Sequence, residues 1–367
     1  MSKKIIFITG GLNAPRIIKR IVSFYDAGYD VVVYGFDRQT YKNVNVLPKE
    51  IKSINLGYVL DGKNYFKSFF LHRKKLAVIF NDNKHKNVFY YSFGFVPALL
   101  VAFYSGRKFA YEIADLTYCN FPNALLRITL KNIDRFIISR SSLTVLTSEG
   151  FNKFLYGSKV NAKILVQPNK MNNFYRNFQR TLNPINEDHG ISFAFIGGLR
   201  YPNTVFRFAK IIGEHFPMHR FLFYGDSSYR NEVVNIASTY NNVFFYGKYR
   251  NPEDLIDIYK EVDVTVACYD TTTMNERIAE PNKLYESILF TKPIIVSKGT
   301  FLSERVEQLK CGFSIVASNN ESIIDFVNTL SVNKLNEIKE RLLNIDNSKI
   351  LDDPTAIFKR LDEIMNN

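Results

Sequence analysis

Short apolar runs alternate along this chain with longer segments in which apolar residues recur every three or four positions. A continuous run of about four to eight apolar residues is typical of a strand buried on both faces, whereas a period near ~3.6 is typical of a helix. Runs that predict strands begin near residues 5, 31, 88, 109, 141, 164, 193, 221, 243, 264 and 294. Because strands and helices alternate with short connections, the pattern predicts parallel sheets in an α/β fold.

The alternation stops between residues 170 and 190, where Asn, Arg, Pro and His are frequent and no clean period is visible. Such a stretch is typical of a linker. We therefore predict a first domain over residues 1–168, a linker over 169–190, a second domain over 191–350 and a C-terminal segment, 351–367, that contains a helix. Each domain is predicted to be a doubly wound, Rossmann-like α/β domain, and the two to face each other across a cleft.

Length and composition agree with this prediction, because 367 residues with 46% apolar content are enough for two globular cores. The three cysteines, Cys119, Cys268 and Cys311, lack the spacing of a metal site and indicate a reducing compartment. The amino-terminal apolar run is too short for a signal peptide, and no stretch reaches the ~18 apolar residues of a membrane span. We expect a cytoplasmic protein with no metal site.

Charge is distributed unevenly between the two halves of the chain. Residues 1–168 hold 25 Lys and Arg against 10 Asp and Glu, whereas residues 169–367 hold 23 against 25. Residues 63–75 are basic and aromatic without any acid, and their cations are Lys63, Lys67, Arg73, Lys74 and Lys75. A basic helix with aromatic residues is typical of an anionic membrane surface, although a solvated outer face gives the same pattern. Nucleic acid is not expected as a partner, because no nucleic-acid-binding motif is present.

Polar side chains follow predicted strands in the first half. Gly10, Gly11 and Asn13 form a loop after the first strand, where glycines let a ligand approach the backbone. Glu112 and Asp115 lie at the end of the strand near residue 109, so we expect both carboxylates to face the cleft. A carboxylate there could orient or deprotonate an acceptor hydroxyl. The alternative for Asp115 is a helix cap.

A second glycine loop in the other half combines three anion-binding features. Gly197 and Gly198 follow a strand, Arg200 supplies a cation, and a helix begins a few residues later. Backbone N–H groups at a helix amino terminus and a nearby cation favour a phosphate. The alternative is a tight turn with an Arg facing solvent.

The sequence of residues 280–296 predicts a polar turn, a short helix and a buried strand. Pro281 suits the first turn of a helix, and Lys283 and Glu286 lie three residues apart on one helix face. A cation and a carboxylate together suit a ligand that carries both phosphates and neighbouring hydroxyls. The alternative is an ordinary capped helix with an exposed ion pair.

Several of these segments together resemble GT-B-fold glycosyltransferases, most closely the retaining family 4-like enzymes of bacterial capsular and exopolysaccharide assembly. The resemblance extends over most of the chain. The segments that carry it are IFITGG (6–11), YEIADL (111–116), VLTSE (145–149), FIGGLRYPN (195–203), FFYGKYRNPEDLIDIYKEVDVTVACY (244–269) and EPNKLYESILFTKPIIVS (280–297).

The resemblance implies roles for the matching residues. Glu286 would hold ribose hydroxyls, Arg200 and Lys283 would contact the diphosphate, and the C-terminal helix would cross back to the first domain. The implied donor-binding set is Gly197, Gly198, Arg200, Gly247, Lys248, Tyr249, Glu280, Asn282, Lys283, Leu284 and Glu286, with Asp115, Glu112, Arg200 and Lys283 as the catalytic set and Gly10, Gly11 and Asn13 as the acceptor-side loop.

Two positions depart from the family pattern. A glutamate eight residues before Glu286 is usual, but Ile278 occupies that position, and Glu276 and Glu280 are the nearest glutamates. In the family that glutamate usually contacts the transferred sugar. The glycine that usually precedes the proline near position 293 is Thr291 here.

The resemblance implies a metal-independent, retaining transfer of a sugar from a UDP- or GDP-linked donor to a hydroxyl of a lipid-linked glycan, in bacterial surface polysaccharide biosynthesis, without a cofactor. If the reaction inverts, Asp115 is the expected base. With the basic first half, the resemblance places the enzyme at the inner face of the cell membrane. Two alternatives remain open: a nucleotide-sugar epimerase on the same fold, and a non-catalytic protein that binds membrane or nucleic acid.

Overall fold

The computed structural model describes residues 3–38, 47–59, 65–185, 190–199 and 202–366, with residues 38, 59 and 65–68 described by their backbone alone. Lys63, at the start of the predicted basic segment, lies outside these ranges. The chain forms two compact units. Unit 1 comprises Met1–Pro168 together with Asp353–Asn367, and unit 2 comprises Asn169–Asp352. None of the helices within the described ranges has both the length and the apolar character needed to cross a membrane.

Unit 1 is built around one seven-stranded sheet with the order β3-β2-β1-β4-β5-β6-β7, in which all paired strands are parallel. Its described strands are β1 Lys4–Thr9, β2 Asp30–Arg38, β3 Lys52–Val59, β4 Phe89–Phe93, β5 Phe109–Ile113, β6 Leu143–Leu146 and β7 Ile164–Val166. Its helices are α1 Pro15–Asp26, α2 Tyr65–Asp82, α3 Phe95–Tyr104, α4 Ala124–Arg140, α5 Glu149–Tyr156 and α14 Thr355–Asn366. Every residue of β4, β5 and β6 is buried, in agreement with the mostly apolar sequences of these strands.

The C-terminal helix α14 packs on unit 1. The ring of Phe358 contacts Phe24 of α1 edge to face, with 4.9 Å between centroids. The carboxylate of Asp362 accepts hydrogen bonds from the hydroxyl of Tyr29 at 2.9 Å and from the ammonium of Lys3 at 2.8 Å. These contacts join the last residues of the chain to the first strand and first helix of the same unit.

Unit 2 contains a six-stranded parallel sheet with the order β10-β9-β8-β11-β12-β13. Its described strands are β8 Ser192–Ile196, β9 Arg220–Tyr224, β10 Val243–Gly247, β11 Val264–Ala267, β12 Ile294–Ser297 and β13 Gly312–Ile315. Its helices are α6 Asn203–His215, α7 Arg230–Thr239, α8 Leu255–Lys260, α9 Met274–Ile278, α10 Lys283–Leu289, α11 Phe301–Leu309, α12 Asn320–Asn328 and α13 Val332–Leu343. All predicted strands are present, and the predicted two-domain α/β fold class is confirmed.

The described part of the predicted linker is part of unit 2. The N–H of Met171 donates to the carbonyl of Ile350 at 2.9 Å. The guanidinium of Arg180 donates to the carbonyl of Leu342 at 2.8 Å, and Tyr175 is buried in a core of this unit. Residues 186–189 lie outside the described ranges. The described part of this segment contains one 3₁₀ turn, Asn173–Tyr175, and polar groups of the segment donate to carbonyls of α13 and the turns that follow it.

Thr291, at the position where the resemblance leads one to expect glycine, has a left-handed backbone with φ of 55°. That conformation costs an L-residue about 1–2 kcal/mol, and more for a β-branched side chain. The buried Thr291 hydroxyl donates to the carbonyl of Phe290 at 2.7 Å and to the carbonyl of Thr181 at 3.1 Å. The hydrogen bonds of the Thr291 side chain therefore offset part of the free energy that the left-handed backbone costs.

Replacing Thr291 separates the two effects. We expect Thr291→Gly to change the free energy of unfolding by less than about 1 kcal/mol, because relief of strain offsets the lost hydrogen bonds. Thr291→Val should destabilise by about 1–3 kcal/mol, because it keeps the strain and removes the hydroxyl. Urea unfolding measures both, with exposed Thr239→Val on α7 as the control. If Thr291→Gly and Thr291→Val lowered the free energy of unfolding equally, the backbone of Thr291 would not be strained.

Candidate functional site

The order in which successive strands join the sheet of unit 2 reverses between β8 and β11. These strands are neighbours in the sheet, and the chain continues from β8 toward one edge and from β11 toward the other. In open parallel sheets, ligands bind beyond the carboxyl ends of the strands at such a switch point. Two of the predicted segments follow these strands: the loop of Gly197 and Gly198 follows β8, and residues 268–282 follow β11.

Three glycines close-pack at the carboxyl ends of β8, β9 and β10. The N–H of Gly197 donates to the carbonyl of Tyr224 at 2.8 Å, and that of Gly225 to the carbonyl of Gly247 at 2.7 Å. A Cβ on Gly225 would lie 2.1 Å from the carbonyl oxygen of Gly197. Gly197 and Gly225 have φ values of +131° and +121°. Only glycine fits these two positions, so the backbone is exposed where the strands end. We call the surface formed by Gly197, Gly225 and Gly247 the glycine floor.

Lys283 reaches this floor from the start of α10. A Cβ on Gly197 would lie 3.1 Å from Cε and 3.3 Å from Nζ of Lys283, so the ammonium lies directly over the glycine loop. The same ammonium donates to Oε2 of Glu286 at 2.7 Å, and the two side chains are 7% and 1% exposed. The predicted pairing of Lys283 and Glu286 on one helix face is confirmed, and the alternative of an exposed pair is wrong.

Glu286 is the centre of a buried hydrogen-bond network. Its Oε1 accepts from Nδ2 of Asn282 at 2.5 Å, and its Oε2 accepts from the hydroxyl of Tyr259 at 3.0 Å. Burial and then the negative charge of Glu286 raise the pKa values of Tyr259 and Tyr249 well above the ordinary range. A carboxylate offers about four acceptor positions, and three are used by Asn282, Tyr259 and Lys283. The remaining position can accept a ligand hydroxyl.

The other members of the implied donor set differ in their surroundings. Leu284 is buried in the core behind α10. Lys248, after β10, is exposed and lies 3.7 Å from the carboxylate of Asp226. Tyr249 is half-buried, and Gly247 has φ of +77°. The loop 247–249 therefore contains a glycine, the exposed cation of Lys248 and the ring of Tyr249. The pKa of the Tyr249 hydroxyl is raised by burial and in part by the charge of Glu286.

Two further glutamates differ in how their oxygens are used. Oε1 of Glu280 accepts from the hydroxyl of Tyr285 at 2.5 Å and from Nε of Arg305 at 3.3 Å, so its carboxylate is held by α10 and α11. Oε2 of buried Glu276 accepts from the hydroxyl of Thr273. Oε1 of Glu276 is buried and has no hydrogen-bond partner among the described residues. A buried acceptor without a donor is costly, so a water molecule or a ligand hydroxyl that donates to this oxygen would stabilise it.

The amino terminus of α6 is occupied by a side chain that the sequence did not indicate. The buried carboxylate of Asp270 accepts from the N–H of Thr204 at 2.9 Å, from its hydroxyl at 2.9 Å and from Nδ2 of Asn203 at 2.9 Å. The prediction that this helix end is open to a phosphate is wrong, because Asp270 already supplies the negative charge there. Arg200, the third feature of that predicted anion site, lies outside the described residues.

In unit 1 the loop with Gly10, Gly11 and Asn13 follows β1, whose neighbour β4 continues toward the other edge of the sheet. This is the switch point of the first sheet, so the loop lies where a ligand is expected. The N–H of Gly11 donates to the hydroxyl of Thr9 at 3.1 Å, and the N–H of Leu12 donates to the carbonyl of Phe36 at 2.9 Å. These bonds hold the turn in place.

Glu112 does not have the accessible position that its strand-end location indicates. Its side chain is fully buried, and its carboxylate accepts from Arg16 at 2.7 Å, from Arg20 at 3.1 Å and from the hydroxyl of Tyr91. Burial alone would raise the pKa of Glu112, but the positive charges of Arg20 and Arg16 outweigh it and lower the pKa to about 2. The expectation that Glu112 acts on an acceptor hydroxyl is therefore corrected: its oxygens are enclosed, and it orients Arg16 at the start of α1.

Asp115 lies two residues beyond the end of β5 and is exposed. The 3₁₀ turn that follows begins at Thr117 and has Leu116 at its cap position, so Asp115 is not the capping residue. Among the described residues, no group of three or more His, Cys, Asp and Glu side chains is arranged to hold a metal ion.

Comparison with known proteins shows what the second unit is similar to. Residues 184–345 match the family model described as Glycosyl transferases group 1. A segment of 99 residues is 32% identical to the succinoglycan biosynthesis protein ExoL of Rhizobium meliloti (strain 1021). The match covers 27% of this chain and a quarter, 25%, of the length of that relative.

Solved structures resemble the whole chain. HepE of Anabaena, determined in complex with UDP, superposes with a TM-score of 0.70 at 16% identity and covers 99% of both chains. Sucrose-phosphate synthase from Thermosynechococcus elongatus superposes with a TM-score of 0.72 at 13% identity, covering 99% of this chain and 98% of the other. At these identities the likeness concerns the fold, and it confirms the GT-B architecture.

Proposed function

Because residues 184–345 match the family model of Glycosyl transferases group 1 and the chain has the GT-B fold, we propose that this protein transfers a sugar from a nucleoside-diphosphate sugar to a hydroxyl of a glycan. The observation that carries the proposal is the buried Lys283–Glu286 pair against the glycine floor of unit 2. The Lys283 ammonium lies beside the backbone of Gly197, and the Glu286 carboxylate has one acceptor position that these protein groups do not use.

In this proposal, Lys283 binds the diphosphate. Its ammonium has three N–H donors and, among the described residues, gives one to Glu286. Negative charge grows on the diphosphate as the sugar leaves, and a preorganised cation in a buried setting stabilises that charge. Gly197 and Gly198 allow the phosphates to approach the backbone, and Arg200 is proposed as a second cation.

Glu286 is proposed to accept a ribose hydroxyl, with the loop from Gly247 through Lys248 to Tyr249 next to the nucleobase. Asn282 and Tyr259 fix the orientation of the carboxylate before the donor arrives. Preorganisation of this kind lowers the entropy that binding costs. UDP is the preferred donor nucleotide, as the complex of HepE with UDP supports, and GDP is the alternative.

The acceptor is proposed to be a lipid-linked glycan of bacterial surface polysaccharide, such as a capsule or exopolysaccharide. Support comes from the similarity to a succinoglycan biosynthesis protein and from the excess of 15 positive charges in residues 1–168, 25 against 10. The enzyme would work at the inner face of the cell membrane. We further propose a retaining, metal-independent reaction, with Asp115 as the base if the configuration inverts.

A panel of UDP- and GDP-sugars tests this function. Release of nucleoside diphosphate is measured with and without a lipid-linked glycan extract. We expect one donor to be consumed only when acceptor is present, and Lys283→Ala to lose most of that activity while exposed Lys260→Ala retains it. An isomerised sugar formed without acceptor would instead support the epimerase. Absence of both reactions and of nucleotide binding would contradict the proposal.

Glu276 is proposed to contact the donor sugar in place of the usual glutamate, because its Oε1 lacks a protein donor among the described residues. Glu280 is left out of the proposed donor set because its carboxylate is engaged by Tyr285 and Arg305. Glu276→Gln should lower kcat/KM by about 10–100-fold through loss of a hydrogen bond to a charged group. Its affinity for UDP, which carries no sugar, should be unchanged.

The matched control for Glu276→Gln is Glu280→Gln, which alters a neighbouring buried glutamate with internal partners. We expect that control to lower stability and to leave the preference among donor sugars unchanged. A parallel loss of UDP affinity and activity in Glu276→Gln would show a structural role instead of a sugar contact.

A further inference from the structure

Three neighbouring helices of unit 1 have an unusual distribution of charge. Helix α3 contains no charged residue, and it packs between α2 and α4. Helices α2 and α4 together hold eight Lys and Arg against two acids, Asp82 and Asp134, and Asp134 is buried. An apolar helix is thus flanked on both sides by basic ones.

The outer side of these helices is rich in exposed apolar residues. Eight of the nineteen large apolar side chains that are exposed among the described residues lie here, although the helices comprise 45 of 367 residues. The eight are Phe70 and Val78 on α2, Phe103 and Tyr104 on α3, and Leu125, Leu126, Ile128 and Phe136 on α4. Single exposed apolar residues are ordinary, but a concentration of this kind marks an interaction surface.

Direct contacts connect the aromatic residues of this surface. The rings of Phe103 and Phe136 lie 5.5 Å apart, which joins α3 to α4. The guanidinium of Arg73 on α2 lies over the ring of Tyr104 at 5.6 Å. An open apolar cavity of about 200 Å³ lies beside the contact between α2 and α3 and is lined by Phe69, Leu99, Leu100, Phe103 and Tyr104. The aromatic residues of α3 and α4 and the guanidinium of Arg73 on α2 are therefore in direct contact.

The opposite faces of the same helices are anchored in unit 1. On α2, His72 and Leu76 are buried, while Arg73, Lys74 and Lys75 are exposed. The buried carboxylate of Asp134 on α4 accepts hydrogen bonds from the hydroxyls of two tyrosines, Tyr111 at 2.9 Å and Tyr118 at 3.0 Å. The exposed residues are therefore not part of an incompletely packed core.

We propose that this α2–α3–α4 surface docks on a bilayer that contains acidic lipids. Aromatic side chains suit the boundary between headgroups and acyl chains, with Phe103, Phe136 and Leu125 entering the apolar layer. Arg73, Lys74 and Lys75 contact the lipid phosphates, and their long side chains can reach headgroup level from the flank of the patch. The cavity between α2 and α3 receives the end of one acyl chain.

A bilayer fits the combination of features better than the other occupants of such a patch. A second copy of this chain would bring the exposed Arg73, Lys74 and Lys75 against a surface that carries the same cations, which is repulsive. Nucleic acid would match the cations and leave the apolar residues without partners. Acidic lipid satisfies both, because each molecule carries an anion and an apolar chain.

The proposal deepens the proposed function, since it names the surface by which the enzyme would reach a lipid-linked acceptor. Its test does not depend on catalysis. The full-length protein is mixed with vesicles of phosphatidylcholine alone or with about 30% phosphatidylglycerol added, and binding is measured by co-sedimentation. We expect binding to the acidic vesicles that weakens as salt is raised, and little binding to the neutral ones.

Two variants separate the apolar and the basic contributions. Phe103→Ser combined with Leu125→Ser should weaken vesicle binding by about 10-fold or more at any salt concentration. Arg73→Gln combined with Lys74→Gln and Lys75→Gln should weaken binding by about 100-fold at low salt and little at high salt. Phe174→Ser combined with Met218→Ser removes two exposed apolar residues of unit 2, and this control should bind as the wild type does.

Three results would overturn the assignment of this surface to membrane docking. The first is vesicle binding at wild-type strength by both surface variants. The second is a concentration-dependent dimer that Phe103→Ser dissociates, and the third is binding to RNA in preference to acidic vesicles. Affinity for UDP should be the same in all variants. Vesicle binding without UDP binding would contradict the proposed function and leave this surface assignment standing.

Discussion

Glu286→Ala is expected to weaken donor binding and to destabilise unit 2. Removing one partner of a buried ion pair leaves the Lys283 ammonium uncompensated, which costs about 3–5 kcal/mol. Loss of the carboxylate should weaken UDP binding by about 10–100-fold, because a hydrogen bond to a charged group is worth about 1.5–3 kcal/mol. Urea unfolding and calorimetric titration with UDP measure the two effects.

The matched control for this variant is Asp257→Ala on α8. Asp257 pairs with Lys260 at 2.7 Å with the same three-residue spacing, but the two side chains are 80% and 63% exposed. An exposed pair is worth at most about 1 kcal/mol, so this variant should retain stability and UDP affinity. Glu286→Gln retains the shape of the side chain, which keeps the test interpretable if Glu286→Ala does not fold. UDP binding of Glu286→Gln at wild-type strength would remove Glu286 from the site.

Glu112→Gln is expected to destabilise unit 1 by about 3–5 kcal/mol, because it leaves the buried guanidinium of Arg20 and that of Arg16 without their counter-charge. The wild-type protein should show the corresponding dependence on pH. Folding lowers the pKa of Glu112 from 4.5 to about 2, so the carboxylate contributes its full stability above pH 4.5. That contribution, about 3 kcal/mol, should be lost as the pH falls from about 4.5 to 2.

Urea unfolding of both proteins between about pH 3 and 7 checks this result, at acidities where the fold persists. The stability of Glu112→Gln should depend less on pH across that range than the stability of the wild type. Glu149→Gln, at the start of α5, is the control for loss of an accessible glutamate. If Glu112→Gln kept full stability and lost only turnover, the carboxylate would be catalytic, as its position at the end of β5 first indicated.

Local patterns predicted the elements that surround the donor site. The run Ile294–Ser297 is fully buried, and Leu284 and Ile288 face the core as the helical spacing requires. The three-residue spacing of Lys283 and Glu286 predicted their contact, because that spacing is short and lies within one turn. Helix α10 begins at Lys283, two residues after the proline that indicated its start.

Strands β3 and β13 were not predicted. The sequence of β3, KSINLGYV, lies at an edge of the sheet and has several exposed residues, so it has no apolar run. Strand β13, GFSI, is a short edge strand beside β12. Helix α4 was missed for a related reason, since its exposed Leu125, Ile128 and Phe136 obscure the period that a core-facing helix shows.

The sites differ from the sequence-based expectations through contacts between residues that are far apart in the chain. Asp270 occupies the end of α6 from a position 66 residues away from Thr204, and Arg16 meets Glu112 across 96 residues. Neither pairing leaves a local pattern, because each depends on which strand ends the sheet brings together. The sequence signal that could have indicated Asp270 is a lone acid just after a buried strand, which also suits a catalytic carboxylate.

Lys283 and the glycine floor of unit 2 are proposed to bind the diphosphate of a nucleotide. Calorimetric titration of the wild type and of Lys283→Ala with UDP and with GDP tests this proposal most directly. We expect one saturable site for one of the two nucleotides, and a loss of affinity of about 10-fold or more in Lys283→Ala. Absence of binding by the folded wild type, or equal affinity in Lys283→Ala, would contradict the account.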